Sequence, residues 1–274
     1  MYKSLYKSIG SNTTIADDVV IECKDKFVVG DNSYIGPGTK ITCRSFEAGD
    51  YLYMPSGVEI GRGGCNGVNS TVKIGNGVGI FENTIINPSE PVEIGDNCGI
   101  GAEVMIWTHG AWLDVTQGFP SDFGPVKIGK NVWLPARSVV LPNVTIGNDV
   151  VIGINSIINR DLPSGCFAAG SPCKVIKENV YPKELGSSEL SDLVHGIIDD
   201  WVELIKYKIG KVNFSIVYEQ LHREIILNVE GSMTIYNIVD KTMEGDGGRI
   251  EEDLRDYLRR RGIKIYTGEG FKSI

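Results

Sequence analysis

Aliphatic residues recur every six positions through much of this chain, and a period that short excludes most folds at once. The beat reads Val72-Lys73-Ile74-Gly75-Asn76-Gly77, then Val92-Glu93-Ile94-Gly95-Asp96-Asn97-Cys98-Gly99-Ile100-Gly101. It resumes at Val126-Lys127-Ile128-Gly129-Lys130-Asn131-Val132-Trp133-Leu134 and runs on through Val144-Thr145-Ile146-Gly147-Asn148-Asp149-Val150-Val151-Ile152-Gly153. An amphipathic helix needs apolar residues three and four positions apart, and the hexads do not show them. A six-residue period suits a parallel β-helix, in which short strands alternate with turns and each coil stacks on the last. The aliphatic position of each hexad then points inward, and Gly, Asn and Asp accept the turn conformations at the corners. The beat is clearest from Val72 to Asp161. It is looser earlier, at Ile9-Gly10-Ser11-Asn12, Val29-Gly30-Asp31-Asn32 and Ile35-Gly36-Pro37-Gly38, and Arg44 to Pro55 reads as a loop or distorted coil.

The beat breaks around Trp107-Thr108-His109-Gly110, ahead of a segment from Gly110 to Gly124 rich in Gly, Asp and Gln. His109 is the only histidine of the repeat region; His195 and His222 lie far downstream. An imidazole at a loop edge is accessible to substrate and titrates near neutrality, as a general base must. Taken alone, an isolated histidine fits a surface or packing position equally well.

The order Asn83, Ile94-Gly95-Asp96-Asn97, Thr108-His109-Gly110, Ile128-Gly129-Lys130-Asn131-Val132-Trp133 resembles the hexapeptide-repeat acyltransferases, in particular their galactoside, maltose and xenobiotic acetyltransferase branch. Val151 to Pro163 and Ala168-Ala169-Gly170-Ser171-Pro172-Cys173-Lys174-Val175-Ile176-Lys177 resemble that family's last coils and closing motif. The resemblance implies a mainly β fold, a left-handed parallel β-helix that assembles as a homotrimer. Handedness comes from the resemblance alone, since β crossovers in general favour the right hand. It further implies acetyl-CoA as cosubstrate, His109 as general base, Asn83 as acceptor ligand, and direct transfer to a sugar hydroxyl or a similar one. Coenzyme A contacts map by the same resemblance to Trp133, Ala136, Ile154, Asn159, Arg160, Lys174 and Lys177. Arg160, Lys174 and Lys177 are cations suited to phosphates. Two departures bear on the coenzyme groove: Leu134-Pro135-Ala136 replaces an Ile-Gly-Ser-like triplet, and Ile154 replaces a small residue. The chain also lacks the helical N-terminal segment usual in maltose and galactoside enzymes, so their sugar specificity does not carry over.

Other classes fit less well. A net charge of -8 opposes a broad nucleic-acid surface. Cys23, Cys43, Cys65, Cys98, Cys166 and Cys173 form no CxxC pair, so no metal site is expected, and reduced thiols suit the cytoplasm. A zinc carbonic anhydrase on this helix would need three histidines, and the repeat region has one. No apolar run approaches the roughly 20 residues of a membrane span, and Met1-Tyr2-Lys3-Ser4 does not open a secretory signal. Two alternatives remain: N-acetylation of a nucleotide-linked amino sugar, and a non-enzymatic β-helix scaffold.

The hexads end after Lys177, which divides the chain into a β-helix over 1–180 and a small α+β domain over 185–274. Leu190, Leu193, Val194, Ile197, Ile198, Trp201, Val202, Leu204 and Ile205 space as a helix over Ser187 to Tyr207, with Ser187 or Ser188 as cap. Strands are expected at Lys211 to Tyr218, Glu224 to Val229 and Thr234 to Val239. A turn at Gly245 to Gly248 precedes a charged helix from Arg249 to Arg261, and a last strand is expected near Ile263 to Tyr266. Arg259-Arg260-Arg261 shares its helix with Glu251, Glu252 and Asp253 and reads as a solvated face.

Overall fold

The computed structural model describes residues 6–65, 67–210, 213–245 and 247–273. Its backbone divides into two compact units, Met1–Lys183 and Glu184–Ile274.

The first unit is a parallel β-helix with three faces. One face carries Val20–Val29, Lys40–Ala48, Thr71–Ile74, Val92–Ile94, Val126–Ile128 and Thr145–Ile146. The second carries Tyr34–Ile35, Tyr53–Met54, Gly79–Ile80, Gly99–Ile100, Trp133–Leu134 and Val151–Ile152, and the third Glu59–Ile60, Ile85–Asn87, Met105–Trp107, Val139–Val140 and Ile157–Ile158. Equivalent hexad residues stack in register. Val29, Ala48, Ile74, Ile94, Ile128 and Ile146 form one inward column. Ile41, Ile60, Ile86, Ile106, Val140 and Ile158 form another. All are buried, so the period of six places one aliphatic side chain on each face of each coil. Outside, the first face alternates Glu47, Lys73, Glu93 and Lys127 along neighbouring strands, an arrangement suited to water.

The corners satisfy their own backbone. Where the first face turns into the second, the Asp50 carboxylate accepts from the Asp31 N–H at 2.8 Å, Asn76 Oδ1 from the Asp50 N–H at 2.9 Å, and Asp96 from the Asn76 N–H at 2.9 Å. Asn97, Asn131 and Asp149 sit there with φ of 58°, 55° and 58° and link side chain to side chain at 2.8 Å. Asn and Asp tolerate this left-handed backbone better than other residues bearing a Cβ.

The edge between the third and first faces behaves differently. Lys40–Ala48 runs through it as one strand, pairing with Glu59–Ile60 at one end and Thr71–Ile74 at the other. Arg44 to Pro55 is thus a distorted coil rather than a loop, because the corner is taken by a bend in a continuous strand instead of a turn. In later coils the described residues of this same edge depart from the hexad at three places: 61–65 with 67–70, 88–91 and 108–125. The last is an antiparallel hairpin in which His109–Ala111 pairs with Ser121–Phe123. Asp114 caps a short 3₁₀ turn within it, accepting from the Thr116 N–H at 2.9 Å.

In the second unit, α1 (Ser187–Ile209) and α2 (Arg249–Arg260) accompany an antiparallel meander of Phe214–Glu219, Glu224–Val229, Ser232–Asn237 and Thr242–Glu244. Lys211 and Val212 of the first expected strand and Asp246 of the expected turn lie outside the described residues. Gly186, not a serine, caps α1, and Ser187 Oγ is engaged by Gln220 Nε2 at 2.8 Å. Ile263 to Tyr266 is not a strand: the Ile265 carbonyl accepts from Arg255 Nη1 at 3.0 Å. At the end of α2, Arg260 and Arg261 of the arginine run are exposed as a solvated face requires, but most of the helix's other charges are not. Glu251, Asp253, Arg255 and Asp256 are buried, and Arg259 and Arg260 both grip Asp256, at 2.7 and 2.6 Å.

Candidate active site

His109 stands where the hairpin leaves the coil, half-buried at the edge between the third and first faces. The preceding strand, Met105–Trp107, presents Trp107 edge-on to the imidazole at 6.1 Å between centroids. The returning hairpin strand stacks Phe123 on it at 5.5 Å and 23°. Two aromatic rings therefore limit the rotation of the imidazole. Its Nδ1 lies 3.0 Å from Asn87 Oδ1 and 3.0 Å from Ser89 Oγ. Among the described residues no hydrogen-bond partner meets Nε2.

The support for these contacts comes from neighbouring coils. Asn87 ends the strand Ile85–Asn87, which pairs with Met105–Trp107, and its side chain is fully buried. Asn87 Nδ2 donates to the carbonyls of Gly61 and Gly63, each at 3.0 Å. Thr108, also fully buried, donates to the Asn87 carbonyl at 2.8 Å and accepts from the Glu90 N–H at 2.9 Å. Gly64 passes so near that a Cβ there would fall 2.5 Å from Ser89 Oγ and 3.7 Å from His109 Cε1. Beneath this strap burial pushes the Cys65 thiol up to about 11, against a smaller opposing effect of Ser89.

The other residues singled out by sequence fall into two groups on either side of the third face. Asn83, Ala136 and Ile154 occupy the edge between the second and third faces. Asn83 has φ 57° and lines a concavity of about 480 Å³ with Glu103, Arg137 and Asn155. The intervening strand puts it about 13 Å along the chain from Asn87, and it is not among the partners of His109. Trp133, Lys174 and Lys177 belong to the second face. Trp133 is in register with Val151, Val151 with Phe167, and Phe167 with Lys177. Asn159 and Arg160 lie on the edge of His109, two coils further on, about 10 Å away by strand spacing. Both are exposed, as are Lys174 and Lys177. Along the third face the outward column begins with Glu59 and is apolar from there on, through Ile85, Met105, Val139 and Ile157.

Asn87, Ser89 and Phe123 escaped the sequence reading. The signal was present in Asn87-Pro88-Ser89-Glu90-Pro91, a short stretch with two prolines that skips a hexad. It occupies the coil directly before the break at His109. No group of three or more His, Cys, Asp or Glu among the described residues is arranged to hold a metal. No described helix is long and apolar enough to cross a membrane.

Residues 125–160 carry the bacterial transferase hexapeptide signature, a family described by six repeats. The galactoside O-acetyltransferase of Escherichia coli is 36% identical over 111 residues, covering 40% of this chain and 55% of that protein. The chain spans about half the length of the curated relatives it matches first. Among solved structures, a galactoside acetyltransferase in complex with coenzyme A is 29% identical over 57% of this chain and 70% of that one, with a TM-score of 0.35. AntD, an N-acyltransferase from Bacillus cereus in complex with dTDP and 3-hydroxybutyryl-CoA, is 17% identical over 72% of this chain and 90% of that one, with a TM-score of 0.46.

Proposed function

We propose that this protein is an acetyl-CoA-dependent O-acetyltransferase whose acceptor is the hydroxyl of a sugar or a related molecule, with His109 as general base. The observation that carries this reading is the state of the imidazole. Nδ1 is occupied by Asn87 and Ser89, and Nε2 has no partner among the described residues. Sequence similarity to the galactoside enzyme supports the reaction class.

His109 Nε2 removes the proton from the acceptor hydroxyl as that oxygen attacks the thioester carbonyl carbon. The resulting tetrahedral intermediate collapses with cleavage of the C–S bond, and the departing coenzyme A sulfur takes the proton back from His109. Positioning two substrates in one cleft supplies much of the rate advantage. The cosubstrate would be held by Ala136 and Ile154 at one edge, Asn159 and Arg160 at the other, and Trp133, Lys174 and Lys177 on the second face. These groups flank an apolar face, and in a homotrimer the edge of one subunit would meet the opposite edge of its neighbour across a shared groove. Asn83 would then serve an acceptor bound in the neighbouring half of that groove. The thiols of Cys23, Cys43, Cys65, Cys166 and Cys173, none of them in a disulfide, support a cytoplasmic protein.

The test is thiol release from acetyl-CoA with a panel of sugars and amino sugars. Acceptor-dependent release on hydroxyl acceptors is expected, falling by about 10²-fold or more in His109→Ala. Full turnover by His109→Ala would remove the base. Release confined to amino sugars would move the reaction to N-acetylation, and failure to bind coenzyme A under any condition would leave a scaffold.

A further inference from the structure

We infer that Asn87 is a positioning residue that fixes the tautomer of His109, keeping the proton on Nδ1 and the lone pair on Nε2. The inference rests on the general-base reading, since only a base requires a particular nitrogen to be bare. The geometry allows one arrangement. Asn87 can point either its carbonyl or its NH₂ at His109, and its far side decides which. There it meets two backbone carbonyls, Gly61 and Gly63, both at 3.0 Å. Carbonyls only accept, so the NH₂ must face them, with its two protons matching two acceptors. Oδ1 is therefore turned toward His109 and presents lone pairs to Nδ1 at 3.0 Å. Two facing acceptors would repel, so Nδ1 carries the proton and Nε2 does not.

Ser89 adapts to this arrangement and does not set it. Its hydroxyl lies 3.1 Å from Asn87 Oδ1, 3.5 Å from the Gly63 carbonyl and 3.0 Å from Nδ1. A hydroxyl both donates and accepts, so Ser89 can serve either tautomer. With Asn87 in place it accepts from Nδ1–H and donates to Asn87 or Gly63. Without Asn87 it is free to donate to Nδ1, and nothing then holds the proton away from Nε2. Selection thus comes from the glycine strap. Gly61, Arg62 and Gly64 hold φ of 145°, 77° and 85°, which turns two carbonyls inward onto one amide. The Arg62 side chain turns outward to pair with Glu59 at 2.7 Å. Burial of Asn87 makes the preference strong, because an unpaired polar group there costs about 1–3 kcal/mol.

Ring-nitrogen NMR of the ¹⁵N-histidine-labelled protein reads the tautomer directly, with His195 and His222 as internal references. Neutral His109 in the wild type is expected to show a protonated Nδ1 and an unprotonated Nε2. Ser89→Ala, a conservative truncation, should keep that pattern, whereas Asn87→Ala should exchange the two signals. In the transferase assay Asn87→Ala should lower kcat by about 10²-fold or more while the KM for acetyl-CoA is held. A wild-type protein with the proton on Nε2 would overturn the inference, as would Asn87→Ala with an unchanged pattern or Ser89→Ala with exchanged signals. The spectra need no turnover. An inactive protein with the expected tautomer would sink the transferase reading and leave the role of Asn87 standing.

Discussion

Arg255 offers a sharp test of how the second unit is held together. It is a wholly buried cation, and each of its three guanidinium nitrogens donates to an acceptor. It pairs with Glu252 at 2.6 Å and donates to the carbonyls of Ile265 and Gly270 at 3.0 and 2.7 Å. Its guanidinium lies 4.5 Å from the centre of the Phe271 ring. Arg255→Met keeps the stem volume but orphans the largely buried Glu252 carboxylate and two carbonyls. Removing one partner of a buried pair costs about 3–5 kcal/mol. Residual solvent contact at Glu252, whose side chain is 13% exposed, argues for the lower end, about 3 kcal/mol. With a urea m-value of about 1 kcal/mol/M, the midpoint should fall by about 3 M. The protein has four tryptophans, and Trp201 is buried against Asp253, its Nε1 donating at 3.1 Å. Fluorine NMR of fluorotryptophan-labelled protein would follow that one resonance through unfolding. Glu252→Gln in the Arg255→Met background should recover part of the loss, because no orphan charge remains. A shift under about 0.5 M, or no recovery in the double variant, would refute the view that the pair ties the C-terminal segment to α2.

Two further outcomes concern the β-helix. Gly99→Ala would place a Cβ 2.5 Å from Trp133 Cε3, forcing the exposed indole off its seat; we expect a loss of about 1 kcal/mol in a melting experiment. If Trp133 lies along the coenzyme arm, KM for acetyl-CoA rises with kcat unchanged, and an unaltered KM would remove Trp133 from the groove. Burial raises the Cys65 thiol from 9.0 to about 11, so the folded chain holds a proton that the unfolded chain has released between these values. Stability contributed by Cys65 is therefore complete below about pH 9 and lost as pH climbs toward 11. Urea midpoints should fall over that window and fall less steeply in Cys65→Ala. The raised thiols of Cys43, Cys166 and Cys173 keep part of the slope.

What sequence made legible was the part of the fold that repeats. Ile94 and Ile128 announce their positions because each inward residue has the same environment as the one a coil away, and the period survives translation along the axis. Asn97 and Asn131 announce the corners because few other residues take a φ near 55° at low cost. Lys40–Ala48 was illegible for the converse reason. A strand that bends through a corner needs no turn residue, so it leaves no punctuation. The burial of Arg255 was hidden because an arginine paired within its own helix has the same local sequence whether it faces water or a neighbouring segment. Ile263 to Tyr266 has the apolar alternation of a strand, yet its carbonyl partner is a side chain, which no pattern of spacing can reveal. His109 was legible as a break in the beat. Its partners were not, because Asn87 reaches it from 22 residues away and is itself held by the carbonyls of Gly61 and Gly63, a further coil back.

That separation has a physical logic. A regular coil cannot hold a catalytic side chain in a pocket, since its outward residues stand on a nearly flat face and its inward ones are sealed in the core. Chemistry requires a coil to depart from the repeat, and a single departure leaves a loop with nothing to brace it. Here the departures that begin at Gly61, Pro88 and Thr108 fall on one edge, so each segment rests on the next. The strap around Gly63 binds Asn87, the Asn87 carbonyl binds Thr108, and the hairpin folds Phe123 back over His109. Stacking supplies the register that a globular active site obtains from a three-dimensional core: residues that are distant in sequence are adjacent because their coils are. The imidazole is fixed by three successive irregular coils, and loosening any one should loosen the base while the inward columns that hold the helix together remain intact.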